Sequence, residues 1–553
     1  MEVSCPVAVA DDWVVRTAGE VRAEAERRHP GEVPTCASGI SPSGPVHLGN
    51  LRELMVPHLV ADEVRKQGVP GRHILSWDDY DRLRRVPAGF PESFAEHIGR
   101  PLTAVPDPCG RHENWAEHFK EPLRESLARL AVLVTEISQT QMYTSGAYTG
   151  QIITAMRRRA DISAVLARYQ TKRNADPDDD DPRNAGTRAY YPFKPYCAVC
   201  GRDDTTVTGF DDETTEITYT CACGAQVGPV PIAEVAGKLA WKVDWPMRWA
   251  YEGVVFEPSG VDHSSPGSSY VVGSQIVTEV FGAQPPIGPM YAFVGITGMA
   301  KMSSSRGGVP TPADALEIME VPVLRWLYAR RRPNQAFKVA FDQEIQRLYD
   351  EWDALGRKVA EGSASPVDAA AHRRAVATAE GPLPATPVAL PYRTLASIVD
   401  ITTGQEEQTL RILRDLDPQQ PVTSLDQVRP RLDKAARWVT TQVPVEQRTR
   451  VRTEPDTDLV ATLDPAARES LRLLLEGLDA HWSLEGLTTL VYGVPKRQLG
   501  LPPDVKPTPE LKAAQRRFFA LLYTLLVGRD TGPRLPTLLL AIGADRVRKL
   551  LGG

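Results

Sequence analysis

An α/β fold with a parallel sheet, followed by an all-helical region, is the fold class this sequence predicts, on three observations. A β-branched segment ending at Gly39 runs into a glycine- and proline-rich turn and then into an apolar repeat of helical spacing, the order of a βαβ unit. That alternation breaks between about 106 and 230 and resumes near Val254. From Tyr392 onward only helical periodicity remains. The expected architecture is a Rossmann-type doubly wound parallel sheet carrying an insertion, continued by an all-α C-terminal region.

Val33 to Ser38 reads as the first buried strand. Leu48, Leu51, Met55 and Leu59 recur at helical spacing, and Gly68 ends that run. His73 to Ser76 reads as the second strand, so the intervening turn sits at the carboxyl end of the first, where open α/β sheets bind ligands. A helical run is expected from Trp115 to Ile137, and a surface loop at Asp176 to Pro182, which has no apolar residue. Strands are expected again at Val254 to Phe256 and Tyr291 to Val294. Thr311 with Pro312 fits a helix cap and first turn, and Val321 to Tyr328 continues an apolar face. Gly381 to Pro387 is too proline-rich for helix or central strand and reads as a linker. Asp464-Pro465 opens one amphipathic helix beyond it, and Leu511 to Leu526 forms another. The expected division is 1–105 and 231–310 as the two halves of the α/β domain, 106–230 as insertion, 311–380 as a helical region, 381–391 as linker and 392–553 as the helical domain.

With 553 residues, 42% hydrophobic and 24% charged, the chain has the make-up of an ordinary soluble protein of several domains. No apolar run reaches membrane-spanning length and Met1-Glu2-Val3-Ser4 is not a secretory start, so a cytoplasmic protein without membrane contact is expected. A net charge of −6 excludes indiscriminate nucleic-acid binding; RNA contact would need local clusters such as Arg157-Arg158-Arg159, Arg330-Arg331-Arg332 or Lys512/Arg516/Arg517. Seven cysteines, an odd number, argue against a disulfide framework. Four of them, Cys197, Cys200, Cys221 and Cys223, form a C-x-x-C and C-x-C pair, each followed by glycine, and suit a structural tetrahedral Zn²⁺. Cys109, His112 and His118 form a weaker candidate for a second site, since scattered ligands in one segment are more often ordinary side chains.

The chemistry concentrates in Pro42-Ser43-Gly44-Pro45-Val46-His47-Leu48-Gly49-Asn50 and, far downstream, Lys301-Met302-Ser303-Ser304-Ser305. An imidazole at a helix start can donate to phosphate oxygen beside unpaired helix N–H groups, and Gly49 lets a purine approach closely. A glycine-flanked loop bearing Lys301 can close over departing pyrophosphate. A capping histidine with a packing glycine, and a polar serine linker, are the structural alternatives; both motifs in this order favour ATP-dependent adenylate formation. That reaction needs positioning and charge stabilisation but no protein nucleophile.

Together with Asp78 to Arg84, Val243 to Trp249 and Phe256 to His263, these motifs resemble the class I lysyl-tRNA synthetases, the form typical of archaea and a minority of bacteria, over nearly the whole chain from Asp12. Asn50 and Ser304 depart from the commonest class I motifs in the way lysyl enzymes do. The resemblance implies His47, Asn50 and Lys301 as catalytic residues. It implies ATP contacts from Pro42, Gly44, His47, Gly49, Asn50, Lys301, Met302, Ser303, Ser304 and Ser305, with Mg²⁺ accompanying ATP. It places lysine against Gly39, Ser41, Glu53, Trp241, His263 and Tyr291. Related glutamyl enzymes carry an arginine shortly before the first motif; Cys36 to Ser41 has no basic residue. The implied activity is ATP-dependent activation of L-lysine and its transfer to the 2′-hydroxyl of the terminal adenosine of tRNA(Lys), by a monomer whose helical C-terminal domain meets the anticodon. An adenylating paralogue with a non-tRNA acceptor should lack the C-terminal helices, and a silent relative should show damage at His47, Gly49 or Lys301; this sequence shows neither.

Overall fold

The computed structural model describes residues 12–169, 190–263, 267–297, 308–416 and 421–552. The chain separates into two compact units: Met1–Ala315 with Val321–Val339 and Lys358–Leu383, and Leu316–Glu320 with Ala340–Arg357 and Pro384–Gly553. The acidic stretch Asp176 to Pro182 and the segment Lys301 to Ser305 lie outside the described residues.

The first unit begins with α1 (Trp13–Arg28), whose N-terminus is capped by the Asp12 carboxylate accepting from the Val14 N–H. Then come β1 (Thr35–Ile40), α2 (Leu48–Lys66), β2 (Arg72–Trp77), α3 (Trp115–Arg129) and β3 (Thr135–Ser138). The central sheet has the order β3-β2-β1-β9, with β9 at Val254–Phe256, and every pairing is parallel. Gly39 stands opposite Ser76 and Ile40 opposite Trp77, so β1 and β2 end together. Strands covered on both faces read as runs of small and apolar residues, as Thr35-Cys36-Ala37-Ser38 does. α2 is buried around most of its circumference, and even Arg52 is enclosed, donating to the carbonyls of Ala292, Arg332 and Gln335.

The helix expected from Trp115 to Ile137 is a correction: it ends at Arg129, and Thr135–Ser138 adds an edge strand to the parallel sheet. Ala131 takes a left-handed conformation at φ 51° just after the helix, and Ile137 alone on this strand is buried. The central sheet therefore draws on residues inside the stretch read as insertion.

Helices α4 (Gln139–Thr144), α5 (Thr149–Arg157) and α6 (Arg159–Arg168) follow. Strand β4 (Phe193–Pro195) pairs antiparallel with β8 (Gly237–Leu239), and β5 (Thr205–Phe210), β6 (Glu216–Cys221) and β7 (Gln226–Pro231) form an antiparallel sheet. α7 (Trp241–Glu252) then leads into β9 through Gly253, whose φ of 61° closes the helix in a conformation glycine adopts freely. After α8 (Ser269–Glu279), β10 (Val294–Ile296) pairs in parallel with β11 (Phe337–Val339); Tyr291, expected in a strand, makes only an isolated bridge to Gly260.

The second unit is helical; among the described residues it contains no strand. Tyr349 and Tyr392 stack in its core with ring centroids 4.2 Å apart. Buried Arg431 meets Glu320 at 2.7 Å and Asp353 at 2.9 Å. Asp464 caps the helix Pro465–Gly477, with proline in its first turn. Gly381–Pro382 pairs with Ala377–Thr378, and the division between units falls after Leu383. No described helix is long and apolar enough to cross a membrane.

Candidate active site

A cavity of about 260 Å³ opens at the carboxyl ends of β1, β2 and β9. Its wall on the side of β1 is Gly39, Ser41, Pro45 and Asn50; α7 contributes Trp241, Trp245 and Arg248; Glu53, Glu257, His263 and Tyr291 complete the interior. The six residues expected around lysine thus share one cavity with Asn50 of the first motif.

His47 is the N-cap of α2. Its Nδ1 accepts from the Gly49 N–H at 3.1 Å while Asn50 Oδ1 accepts from the His47 N–H at 3.3 Å, a reciprocal capping box. With Nδ1 accepting, a neutral ring carries its proton on Nε2, and burial lowers the His47 pKa, favouring that neutral form. The free helix N–H groups expected at this terminus are a second correction. Leu48 N–H is bonded to Pro310 O at 3.1 Å, Gly49 N–H to His47, and Asn50 N–H to His47 O at 2.9 Å. The Pro310 contact arises because the chain returns to the start of α2 just beyond the Lys301 segment.

Glu53 lies behind Gly39, whose N–H donates to it at 3.3 Å, and accepts a hydrogen bond from the Tyr291 hydroxyl at 3.2 Å. A side chain at position 39 would place its Cβ 4.0 Å from Glu53 Oε1, so glycine there leaves the carboxylate open. Burial, reinforced by Glu257, pushes the Glu53 carboxyl up to about 8. Burial and then Glu53 raise the Tyr291 phenol well above its ordinary value, so it stays a hydrogen-bond donor.

The opposite wall is aromatic. Trp241 stacks on Trp245 at 5.2 Å with planes 15° apart, and His263 meets Trp245 edge-on at 5.8 Å. Glu257 accepts from Trp245 Nε1 at 3.0 Å and Trp249 Nε1 at 2.6 Å, and burial pushes its carboxyl up to about 7. Arg248 is the one cation among the described lining residues, and it is spent: it binds Asp78 at 2.8 Å and Asp244 at 2.9 Å, with its guanidinium 5.2 Å from the Trp241 ring centroid. Asp78, Arg248 and Glu257 sit inside the motif segments, where the sequence alone assigns them no role. Their signal is charge in otherwise apolar stretches, Ile74-Leu75-Ser76-Trp77-Asp78, Trp245-Pro246-Met247-Arg248-Trp249 and Val254-Val255-Phe256-Glu257.

Two further clusters lie outside this cavity. The four Sγ atoms of Cys197, Cys200, Cys221 and Cys223 fall within 4.8 Å of one another, with Cys197–Cys223 at 3.8 Å and Cys200–Cys221 at 3.7 Å. Tetrahedral zinc with bonds of about 2.3 Å separates its sulfurs by about 3.8 Å, so the spacing fits that ion. Cys109, His112 and His118 also converge, joined by Asp107, with ligand atoms within 4.8 Å. Asp107 holds His118 at 2.9 Å and His112 at 3.2 Å. The convergence with Asp107 was not legible as a site from three spaced ligands.

A parallel sheet with a histidine-capped helix at its carboxyl edge and a deep acidic, aromatic cavity beside it defines a nucleotide-dependent α/β enzyme that handles a small polar molecule. Residues 11–381 match the model of the family described as tRNA synthetases class I (K), and the chain belongs to that family. It is 64% identical over 570 aligned positions to a lysine–tRNA ligase of Streptomyces coelicolor, covering 98% of each chain. It is 34% identical to a lysine–tRNA ligase of Pyrococcus horikoshii, covering 93% of this chain and 94% of the relative. A lysine–tRNA ligase of Treponema pallidum is 30% identical, with 94% of both chains covered.

Proposed function

We propose that the chain is a lysine–tRNA ligase that activates L-lysine with ATP and transfers it to the terminal 2′-hydroxyl of tRNA(Lys). The observation that carries this reading is the cavity itself: Glu53, a half-buried carboxylate held by the Gly39 N–H and the Tyr291 hydroxyl with no cation on it among the described residues, faces an aromatic wall, and Arg248 is neutralised by two aspartates. Among the described residues a glutamate side chain would find no available cation there, whereas an ammonium group finds a carboxylate, a phenol oxygen and indole faces.

In the first step the lysine carboxylate attacks the α-phosphorus of ATP and the bond to pyrophosphate breaks. His47 Nε2–H donates to a phosphate oxygen, and Asn50 keeps the imidazole at the helix start through the capping box. Gly39 and Ser41 face the amino-acid backbone, Glu53 takes the ε-ammonium, and Trp241, His263 and Tyr291 enclose the methylenes. Pro42, Gly44 and Gly49 shape the nucleotide side. Lys301, with Met302 to Ser305, neutralises the leaving pyrophosphate, and Mg²⁺ enters with ATP. In the second step the ribose hydroxyl attacks the lysyl carbonyl and AMP leaves. The division into catalytic halves, insertion and helical anticodon domain belongs to this reading.

Zinc is assigned to the four-cysteine site as a structural ion that stiffens the β5–β7 sheet, and Asp107, Cys109, His112 and His118 supply the donors of a second. Two equivalents per chain are expected by elemental analysis, falling by one in Cys109→Ser; a metal-free protein prepared without chelator refutes both. The function is tested by charging unfractionated tRNA with lysine and with glutamate. Charging with lysine alone is expected, and charging with glutamate, or with neither, refutes the reading.

A further inference from the structure

Glu257 stands immediately after β9 and is 5% exposed. Each of its oxygens receives one indole N–H, from Trp245 and from Trp249, which sit one turn apart on α7. Trp245 is the middle ring of a series, stacked on Trp241 and edge-on to His263. Fixing the Trp245 plane therefore fixes the wall on which a ligand rests. The position requires acceptors on both atoms: a side-chain amide would aim its NH₂ at an indole N–H, donor against donor.

The charge around Glu257 is unbalanced. Glu53 from α2 and Asp78 beyond β2 face the same cavity with the same sign. Arg248 from α7 is shared between Asp78 and Asp244, and Lys238 from β8 is taken by Asp81 and Asp244. Tyr270 from α8 directs its hydroxyl to Pro286 O and brings no positive charge. A buried surplus of carboxylate is unfavourable, so these groups hold protons until a cation enters and draws out their ionised form. Lysine carries two ammonium groups and one carboxylate, and so removes that surplus.

We propose that Glu257 is a positioning and specificity residue of the amino-acid pocket: it locks the Trp241–Trp245 wall through two indoles and sets a second negative charge beside Glu53 that favours a doubly cationic amino acid. This rests on the lysine reading of the cavity.

The test measures binding of L-lysine and of 6-hydroxynorleucine, which replaces the ε-ammonium with a hydroxyl, to the full-length chain by tryptophan fluorescence. Trp249→Phe removes one indole donor and keeps the charge; it is expected to weaken both ligands by the same factor of a few. Glu257→Gln removes the charge as well and is expected to weaken lysine about tenfold more than the neutral analogue. Equal weakening of both ligands by Glu257→Gln, or none, overturns the charge role. Unchanged affinities in Trp249→Phe overturn the positioning role, a result obtainable even where Glu257→Gln does not fold. Wild-type protein that fails to bind lysine removes the functional reading together with this inference, and differs visibly from both variant outcomes.

Discussion

Lysine use by this protein should rise steeply with pH through the neutral range, because the ammonium partner is stored in its uncharged form. Burial pushes Glu53 up to about 8, so at pH 7 only about one empty pocket in ten carries the charge. Lysine's ammonium remains protonated throughout this range, and binding selects the ionised carboxylate and expels the proton. Apparent affinity then scales with the ionised fraction: about tenfold from pH 6 to 7, about fivefold from 7 to 8, and level beyond about 9. Glu257, pushed up to about 7, steepens the lower end. The sign for stability follows from the same shift. An unfolded Glu53 ionises near its ordinary 4.5 while the folded one stays protonated to about 8, so the empty protein loses stability as pH rises between them. Lysine restores it, and its effect on Tm should be larger at pH 8 than at pH 6. The assay is the lysine KM for aminoacylation at saturating ATP and tRNA, from pH 6 to 9. Glu53→Gln should abolish most of the slope and raise the lysine KM at pH 8 about a hundredfold. A lysine KM independent of pH in the wild type, or the same slope in Glu53→Gln, refutes the reasoning.

Three other outcomes are expected. His47→Ala and Lys301→Ala should each lower kcat for aminoacylation about 10²- to 10³-fold with folding retained, since phosphate charge loses a donor; turnover near wild type in both removes the site assignment. Arg431→Met leaves Glu320 and Asp353 buried without their cation and should cost about 3–5 kcal/mol in denaturant unfolding of the helical unit, against less than 1 if the pair contributes nothing. Gly237→Ala would drive a Cβ to 2.4 Å from Phe193 Cζ and 2.8 Å from Lys194 O, and should destabilise the β4–β8 pair by about 1–3 kcal/mol, read as a lowered Tm.

The parts legible in the sequence were those encoded locally. β1, α2 and β2 stand within two residues of where Val33, Leu48 and His73 placed them, because burial on both faces of a parallel strand and a helical apolar repeat leave unambiguous patterns. Asp464-Pro465 and Thr311-Pro312 mark helix starts for equally local reasons. β3 was not legible: Thr135-Glu136-Ile137-Ser138 buries one side chain, and its identity as a strand comes from pairing with β2 across the sheet. The convergence of Asp107 with Cys109, His112 and His118 likewise depends on the turn before α3, whose backbone N–H groups at Arg111 and His112 fold onto the Asp107 carboxylate. At the active site the expected lysine contacts gathered in one cavity, but the state of the helix start did not follow from composition. A His-x-Gly-Asn sequence is compatible with an open anion site or with a closed capping box, and only the side-chain geometry distinguishes them.

That closed capping box changes what the first motif can do. If the first N–H groups of α2 were free, the helix dipole and those donors would carry much of the phosphate recognition. Here Pro310 and His47 have taken them, so in the proposed reaction phosphate recognition is left to Nε2 of His47 and to side chains that arrive from elsewhere in the chain. Conversely, the amino-acid side of the cavity is rigidly held. Asp78 at the end of β2 holds Arg248, Arg248 holds Asp244, and Asp244 takes the Tyr143 hydroxyl at 2.5 Å and Lys238 at 3.3 Å, while Lys238 also pairs with Asp81. The two acidic motif segments are therefore partners in one buried lattice that spans the sheet edge, α4, β8 and α7, and α7 carries the tryptophans. Breaking Arg248 would release Trp241, leave Asp78 without its cation and leave Asp244 to Lys238, so substitutions along this lattice should raise the lysine KM before they alter ATP use. An Arg248→Lys variant whose KM for ATP rises more than its KM for lysine would show that the lattice serves the nucleotide instead.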